Sequence, residues 1–286
     1  MIRPAGPPPP PERVARHYDE LDRYYRELWG EHVHHGLWAT GTETPTEAVE
    51  ALVHRVAREA RVEPGTRVCD IGCGYGGTAR LLARRYGARV EGVTLSPAQA
   101  RFAGEAAAAE DPPLPVRVHL GDWLEIGLPD AAFDAAVFVE SLTHMPDPLR
   151  ALAEAHRVLV PGGRLVACVW LAGENVGAVP ERLLLEPVCR EGRLAGLPTA
   201  TEVSGLMQDA GFEMDGVEDL SRQVRRTWSL TLGAALRRMG SDPEARRYVL
   251  DPTRSERIFA LTMFRIWVAY RVGALRYGLF TARAAG

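Results

Sequence analysis

Lysine is missing from this chain: all 34 of its lysine-or-arginine positions are arginine. That excludes Schiff-base chemistry on a lysine amine and any phosphate loop built around a lysine. Cysteine is scarce, at Cys69, Cys73, Cys168 and Cys189. Cys69 and Cys73 straddle a glycine stretch with no second ligand pair nearby. Neither a zinc centre nor a disulfide framework is expected, and the thiols read as reduced, in a cytoplasmic protein. No apolar run reaches the roughly 18 residues of a membrane span, and the first residues lack a charged-then-apolar leader pattern. The arginines are scattered and the net charge is −3. There is no electrostatic footprint for nucleic acid or an anionic membrane surface.

What is present is an ordinary globular composition, 46% hydrophobic and 25% charged over 286 residues. That is enough for one large α/β domain with a modest cap. The chain opens on an unbroken proline run, Pro7 to Pro11, so residues 1–11 are expected to be a loose tail. A ring-rich helical stretch, Glu12 to Trp29, precedes the dense patch Trp29-Gly30-Glu31-His32-Val33-His34-His35-Gly36-Leu37-Trp38. Thr46 to Ala60 reads as a helix with Thr46 as its N-cap. Residues 12–60 thus form an N-terminal helical lid.

From Pro64-Gly65 onward, short apolar runs alternate with helical ones. Strands are expected at 66–71, 88–94, 116–120, 133–139 and 164–170. Helices are expected at 78–86, from Ser96-Pro97, and at 148–159, the last stopped by Pro161-Gly162-Gly163. This rhythm implies βαβ units and a parallel sheet. After Trp170 it changes: helices near 180–189 and 201–210, a strand at 212–220, then a helical, aromatic stretch over 223–275 and a closing strand at 277–282. The α/β core therefore spans 61–222 and 276–286, with 223–275 as a cap.

The central motif is Val68-Cys69-Asp70-Ile71-Gly72-Cys73-Gly74-Tyr75-Gly76-Gly77. Its glycines allow a tight turn and close approach of a ligand, at the N-terminus of the following helix. Gly-x-Gly-x-Gly differs from the Gly-x-Gly-x-x-Gly of dinucleotide sites. Asp70, just before the glycines, can bond the loop or attract an ammonium or sulfonium. Strand two ends in Thr94 where nucleotide folds place an acid; its hydroxyl can reach a ribose, and Leu95 can pack on an adenine. Asp122 can accept from an adenine amino group or serve as a helix cap, and Trp123 can form a wall.

These segments, with Gly92-Val93-Thr94-Leu95-Ser96-Pro97-x-Gln99, Glu140-Ser141-Leu142-Thr143-His144-Met145-Pro146-Asp147 and Arg157-Val158-Leu159-x-Pro161-Gly162-Gly163, resemble the class I S-adenosylmethionine-dependent methyltransferases. Trp29 to Trp38 and the tail Tyr270-x-x-Gly273-x-x-x-Tyr277-Gly278-Leu279 are similar to the tocopherol and sterol methyltransferase-type group. The resemblance implies a Rossmann-like seven-stranded, mostly parallel sheet with its last strand antiparallel, and a helical cap before that strand. It also implies S-adenosylmethionine contacts at Asp70, Gly72, Gly74, Thr94, Leu95, Gln99, Asp122 and Trp123, with Tyr18 and the His35-Gly36 turn covering the methionine end. The product would be S-adenosylhomocysteine.

The expected reaction is methyl transfer to oxygen, nitrogen or carbon of a small lipophilic natural product, as in secondary metabolism. The catalytic candidates are His144, a base just past strand four, and Glu140, which can hold the cofactor, stabilise a carbocation or bond a loop. His34 and His35 are further possible bases. No metal is expected, because no carboxylate cluster stands beside them. Trp228, Phe264 and Trp267 either line an acceptor pocket or fill the cap's own core. An isoprenoid alkene or prenyl diphosphate methylated on carbon is an alternative. So are a nicotinamide oxidoreductase and a non-catalytic S-adenosylmethionine-binding protein.

Overall fold

The computed structural model describes residues 1–4, 6–242, 247 and 259–286. Its strands are β1 Arg67–Ile71, β2 Arg89–Thr94, β3 Val116–Leu120, β4 Phe133–Val139, β5 Leu159–Ala172, β6 Phe212–Asp219 and β7 Leu275–Ala284. They form one sheet in the order β3-β2-β1-β4-β5-β7-β6. The first five run parallel, and β7 is antiparallel to both its neighbours. This is the seven-stranded Rossmann-like sheet that the family resemblance implied. The strand order reverses between β1 and β4, which opens a crevice at their carboxyl ends.

Local chemistry explains most boundaries. Helix α3, Pro45–Glu59, starts at a capping box: the Thr44 hydroxyl accepts from Glu47 N at 3.2 Å while the Glu47 carboxylate accepts from Thr44 N at 2.7 Å. Thr46, the expected N-cap, lies inside the helix. The first ring-rich helix is two helices, α1 Pro11–Glu20 and α2 Asp22–Trp29, broken at Leu21. Helix α4, Gly77–Tyr86, follows the glycine loop, and α5, Pro97–Ala108, is capped by Ser96 Oγ accepting from Gln99 N at 3.1 Å. Helix α6, Pro148–Val158, ends before Pro161, because Leu159 already pairs with Phe133 on β4; residues 160–163 then bulge before Arg164 pairs with Ala135.

Buried apolar clusters cover both faces of the sheet. One joins α3 and α4 to the helices Arg226–Ser241 and Phe259–Arg271, and the other joins α6 to the helix Ala200–Asp209. Over 223–275, where a cap is expected, the structure describes those two helices, and 243–246 and 248–258 lie outside the described residues. The start of the chain is not loose. Ile2 exchanges two main-chain hydrogen bonds with Leu197, at 2.9 and 2.8 Å, which carries the prolines across the crevice. Among the described residues, no helix is long and apolar enough to cross a membrane.

Candidate active site

The crevice holds two connected cavities. The first, about 880 Å³, lies over the carboxyl ends of β1, β2 and β4 and is lined by Gly72, Gly74, Thr94, Leu95, Gln99, Asp122 and Trp123, with Tyr18 and the prolines Pro9 and Pro11 as its roof. Its floor is main chain. Gly72 takes φ 81°, and a Cβ there would collide with Ser141 Cβ. Ser141 Oγ in turn donates to Ile71 O, so β4's end is fastened under the loop. Gly72 N and Cys73 N both donate to Val93 O, at 2.9 Å each.

Polar groups are distributed along this groove. Thr94 Oγ1 donates to Gln99 Oε1 at 2.8 Å, which turns the Gln99 amide toward Gly74. Asp122 Oδ1 accepts from Leu124 N at 3.0 Å and closes a turn over 123–125; no helix starts there, so the residue is not a helix cap. Trp123 is buried and anchored by Nε1 donating to Ala151 O at 3.0 Å. Asp70 does not reach the cavity wall. It is buried below the loop, where burial pushes its carboxyl up to about 7 against the Ala79 N–H that favours ionisation. Its Oδ2 has no partner.

The second cavity, about 700 Å³, lies between the N-terminal segment, the end of the sheet and the cap. Tyr18, Val33, Glu140 and His144 border both. Its far wall is aromatic: Trp228 meets Trp170 at 5.6 Å and Trp29 at 6.1 Å between ring centroids, both edge to face. Trp228 therefore lines this chamber. Phe264 and Trp267 do not. Phe264 is 49% exposed and stacks outside on Trp267, whose ring is covered by the Arg271 guanidinium at 3.6 Å.

Glu140 leaves β4 at φ 64°, a left-handed conformation that costs a non-glycine residue energy and is retained here by its bonds. Oε1 accepts from His35 N at 2.7 Å, His35 Nδ1 at 2.9 Å and Tyr277 Oη at 2.8 Å, while Oε2 accepts from Trp170 Nε1 at 2.6 Å. Burial opposes ionisation, but the His35 ring and main-chain donors outweigh it and hold the carboxyl at about 2. Trp228 Nε1 donates to His35 Nε2 at 2.6 Å. An indole N–H only donates, so His35 carries its proton on Nδ1, toward Glu140. His35 thus sits in the chamber's frame, not over the first groove.

His144 stands at the junction, in the short turn Leu142–His144. Its Nδ1 donates to Arg193 O at 3.2 Å, which leaves Nε2 as an acceptor facing Tyr18 Oη at 3.1 Å. Burial pushes the imidazole down to about 4, so it is a neutral base at physiological pH. Tyr18 is driven the other way, well above its ordinary range, by burial and by the Glu140 charge, and keeps its proton. His34 is tied up elsewhere, between His35 O at 2.8 Å and His32 Nδ1 at 3.1 Å. Among the described residues, no His, Cys, Asp and Glu group is arranged to hold a metal ion.

Sequence reasoning missed Trp170, Tyr277 and Ser141. The first two are aromatic residues inside β-strands, where alternation suggests core; their signal is pairing, since β5 and β7 place Trp170 directly opposite Tyr277. Pro9 and Pro11 were missed as walls because a proline run carries no pattern that says what it packs against.

Residues 69–167 match a family described as a methyltransferase domain. The chain is 32% identical over 280 residues to 27-O-demethylrifamycin SV methyltransferase of Amycolatopsis mediterranei, covering 96% of this chain and 98% of that one. It is 28% identical to the chloroplastic tocopherol O-methyltransferase of Arabidopsis thaliana, over 94% of this chain and 81% of that one. The crystal structure of the [4+2]-cyclase SpnF superposes with a TM-score of 0.82 at 26% identity, covering 99% of each chain.

Proposed function

The chain belongs to the class I S-adenosylmethionine-dependent methyltransferases, and on that premise we propose that it methylates a hydroxyl oxygen of a small lipophilic natural product. One observation carries the reading: a neutral histidine base, His144, stands where the groove and the aromatic chamber meet.

The groove suits the cofactor. Gly72 and Gly74 bring main chain to the groove wall, at φ 81° and 53°, conformations that favour glycine. Thr94, Gln99 and Asp122 offer hydroxyl, amide and carboxylate groups to a ribose and an adenine, and Leu95 and Trp123 offer apolar walls. When bound, S-adenosylmethionine supplies an electrophilic methyl on a sulfonium and departs as a neutral thioether. Tyr18 and His35 were expected over the methionine end; Tyr18 is at the border of both cavities, whereas His35 braces Glu140.

The residues of the chamber perform three tasks. Trp29, Trp170 and Trp228 desolvate and orient the acceptor, and such alignment can contribute several kcal/mol, up to about 10 in favourable cases. An acceptor hydroxyl beside Tyr18 takes over the hydrogen bond to His144 Nε2. As the oxygen bonds to the methyl carbon, its proton becomes strongly acidic, so even a base near 4 accepts it at Nε2. Glu140 favours the imidazolium that results, since its charge already acts to raise His144.

A second reading draws on the ionised Glu140 and the tryptophan walls, which together suit a cationic centre formed when an alkene carbon is methylated. A prenyl diphosphate fits less well, because no arginine lines the chamber among the described residues. The four buried thiols support a reducing, cytoplasmic setting, and the lipophilic chamber supports a role in secondary metabolism. The test is incubation of the enzyme with isotope-labelled S-adenosylmethionine and a panel of alkylated phenols, hydroxylated polyketides and isoprenoid alkenes. Label on oxygen is expected. Label on carbon moves the assignment to the second reading, and cofactor binding with no transfer to any acceptor returns the chain to a binding role.

A further inference from the structure

The short helix Glu186–Glu191 ends on a glutamate, where the carbonyl end of a helix disfavours negative charge. Glu191 is only 10% exposed, and its bonds run across to the cap. Arg265 Nη1 donates to its Oε1 at 2.5 Å and its Oε2 at 2.7 Å, and Thr262 Oγ1 donates to Oε2. Arg190 stands farther off, at 3.9 Å. Thr262, Arg265 and Ile266 share one face of the helix Phe259–Arg271, and Thr262 and Ile266 belong to the chamber wall. Little-exposed hydrogen bonds between charged groups are among the strong ones, so Glu191 clamps the cap helix where it meets the chamber. Past Glu191 the chain turns at once. Gly192 N donates to Val188 O and Leu194 N to Cys189 O, both at 2.9 Å, and Arg193 takes φ 56°. This is a helix-ending turn with an arginine at the left-handed position that usually holds glycine, a conformation that costs a side chain energy. The carbonyl of that strained residue, Arg193 O, is the partner of His144 Nδ1 at 3.2 Å. Downstream, Ala195 N donates to Thr143 O at 2.8 Å and pins one end of the segment. Glu191 pins the other.

We propose that Glu191 is a positioning residue for methyl transfer: by clamping the cap helix to the turn over 192–194 it keeps Arg193 O on His144 Nδ1, so that Nε2 stays bare toward the acceptor. This rests on the reading of His144 as the base. A neutral imidazole carries one proton, and the hydrogen bond at one nitrogen decides the state of the other. A carbonyl only accepts, so Arg193 O selects the form protonated on Nδ1. Without it, the form protonated on Nε2, which donates to Tyr18 Oη, competes, and that form cannot take a proton from an acceptor hydroxyl at Nε2. The clamp therefore joins two events, closure of the cap on the chamber and alignment of the base. It also accounts for a carboxylate at the unfavourable end of its own helix.

The experiment reads the histidine ring nitrogens of the isotope-labelled full chain by NMR with S-adenosylhomocysteine bound, the His144 signals being identified by their loss in His144→Gln. At neutral pH the wild type should show Nδ1 protonated and Nε2 bare. Glu191→Ala should populate the form protonated on Nε2 and lower turnover of a long-chain alkylphenol by about tenfold or more, with S-adenosylhomocysteine affinity within about twofold. Glu191→Gln keeps the shape and still accepts from Thr262 and Arg265; it should retain the Nδ1 form and lose no more than about threefold in turnover. Arg265→Leu breaks the clamp from the cap side and should reproduce the signature of Glu191→Ala, which covers the case in which the alanine variant does not fold. An unchanged His144 signature in Glu191→Ala, or in Arg265→Leu where the alanine variant does not fold, overturns the proposal, whether or not the alkylphenol is methylated. A shifted signature with undiminished methyl transfer upholds the clamp and removes His144 as the base instead.

Discussion

The two halves of the crevice are built by different means. The groove proposed for the cofactor has a floor of main chain and of residues from the glycine loop, the end of β2 and the end of β3, under a roof of Pro9, Pro11 and Tyr18. The chamber proposed for the acceptor is made of side chains drawn from Tyr18 to Ile266, and its frame reaches Tyr277. A site made of backbone tolerates no added atoms but needs few particular side chains. A site made of side chains depends on each hydrogen bond that holds a ring in place. Substitutions should therefore separate the two halves.

The largest effect is expected at the groove floor. Gly72→Ala adds a methyl against Ser141 and places a Cβ on a left-handed residue. It should cost about 3 kcal/mol or more in urea unfolding and abolish S-adenosylhomocysteine binding by calorimetry. Binding within tenfold of wild type would show that the floor is more pliable than its geometry indicates. Next is His144→Ala, with kcat lower by about a hundredfold and S-adenosylhomocysteine affinity within about twofold. Because burial holds His144 near 4, the wild-type rate should stay flat from neutral pH down to about 5 and fall only near 4. A mid-point near the ordinary histidine value of 6.5 would remove His144 as the base.

Glu140→Gln strips the charge from a carboxylate that meets four donors, and should cost about 2–3 kcal/mol of stability. The sign with pH follows from its lowered folded value, about 2 against an ordinary 4.5. The unfolded chain binds the proton first, so this stabilisation is complete above about 4.5 and is lost as pH falls toward 2. The glutamine variant should show a shallower acid loss in thermal melts; an unchanged slope would mean Glu140 is not the group responsible. The smallest effects compare two rings of the cap. Trp228→Phe removes the donor to His35 and should lower acceptor turnover several-fold, whereas Phe264→Ala, on the exposed side, should change stability by no more than about 0.5 kcal/mol and turnover not at all. Equal losses would place Phe264 in the acceptor path.

The same division governed what could be read in advance. The glycine motif, Thr94, Gln99, Asp122 and the Ser96-Pro97 helix start are local patterns, and the structure puts them side by side along one groove. The strand and helix rhythm from β1 to β5 was legible for the same reason. The largest shift of a boundary is at the bulge over 160–163, because pairing with Phe133 extends β5 backward past the proline and glycines expected to end α6. The partner of Ile2, Leu197, lies far along the chain, so no local pattern announces that the first residues are held.

By itself, then, the sequence determined the sheet and the groove, since periodicity and glycine placement act over a few residues and need no knowledge of what packs on them. Only the tertiary structure decided the chamber. Whether Trp228 faces inward and Phe264 outward depends on the phase of each cap helix against its neighbours. Whether Glu140 is a free carboxylate or a braced one depends on His35, Trp170 and Tyr277 arriving from three distant segments. Those choices are settled by packing and by the need to pair buried polar groups, and composition carries no record of them.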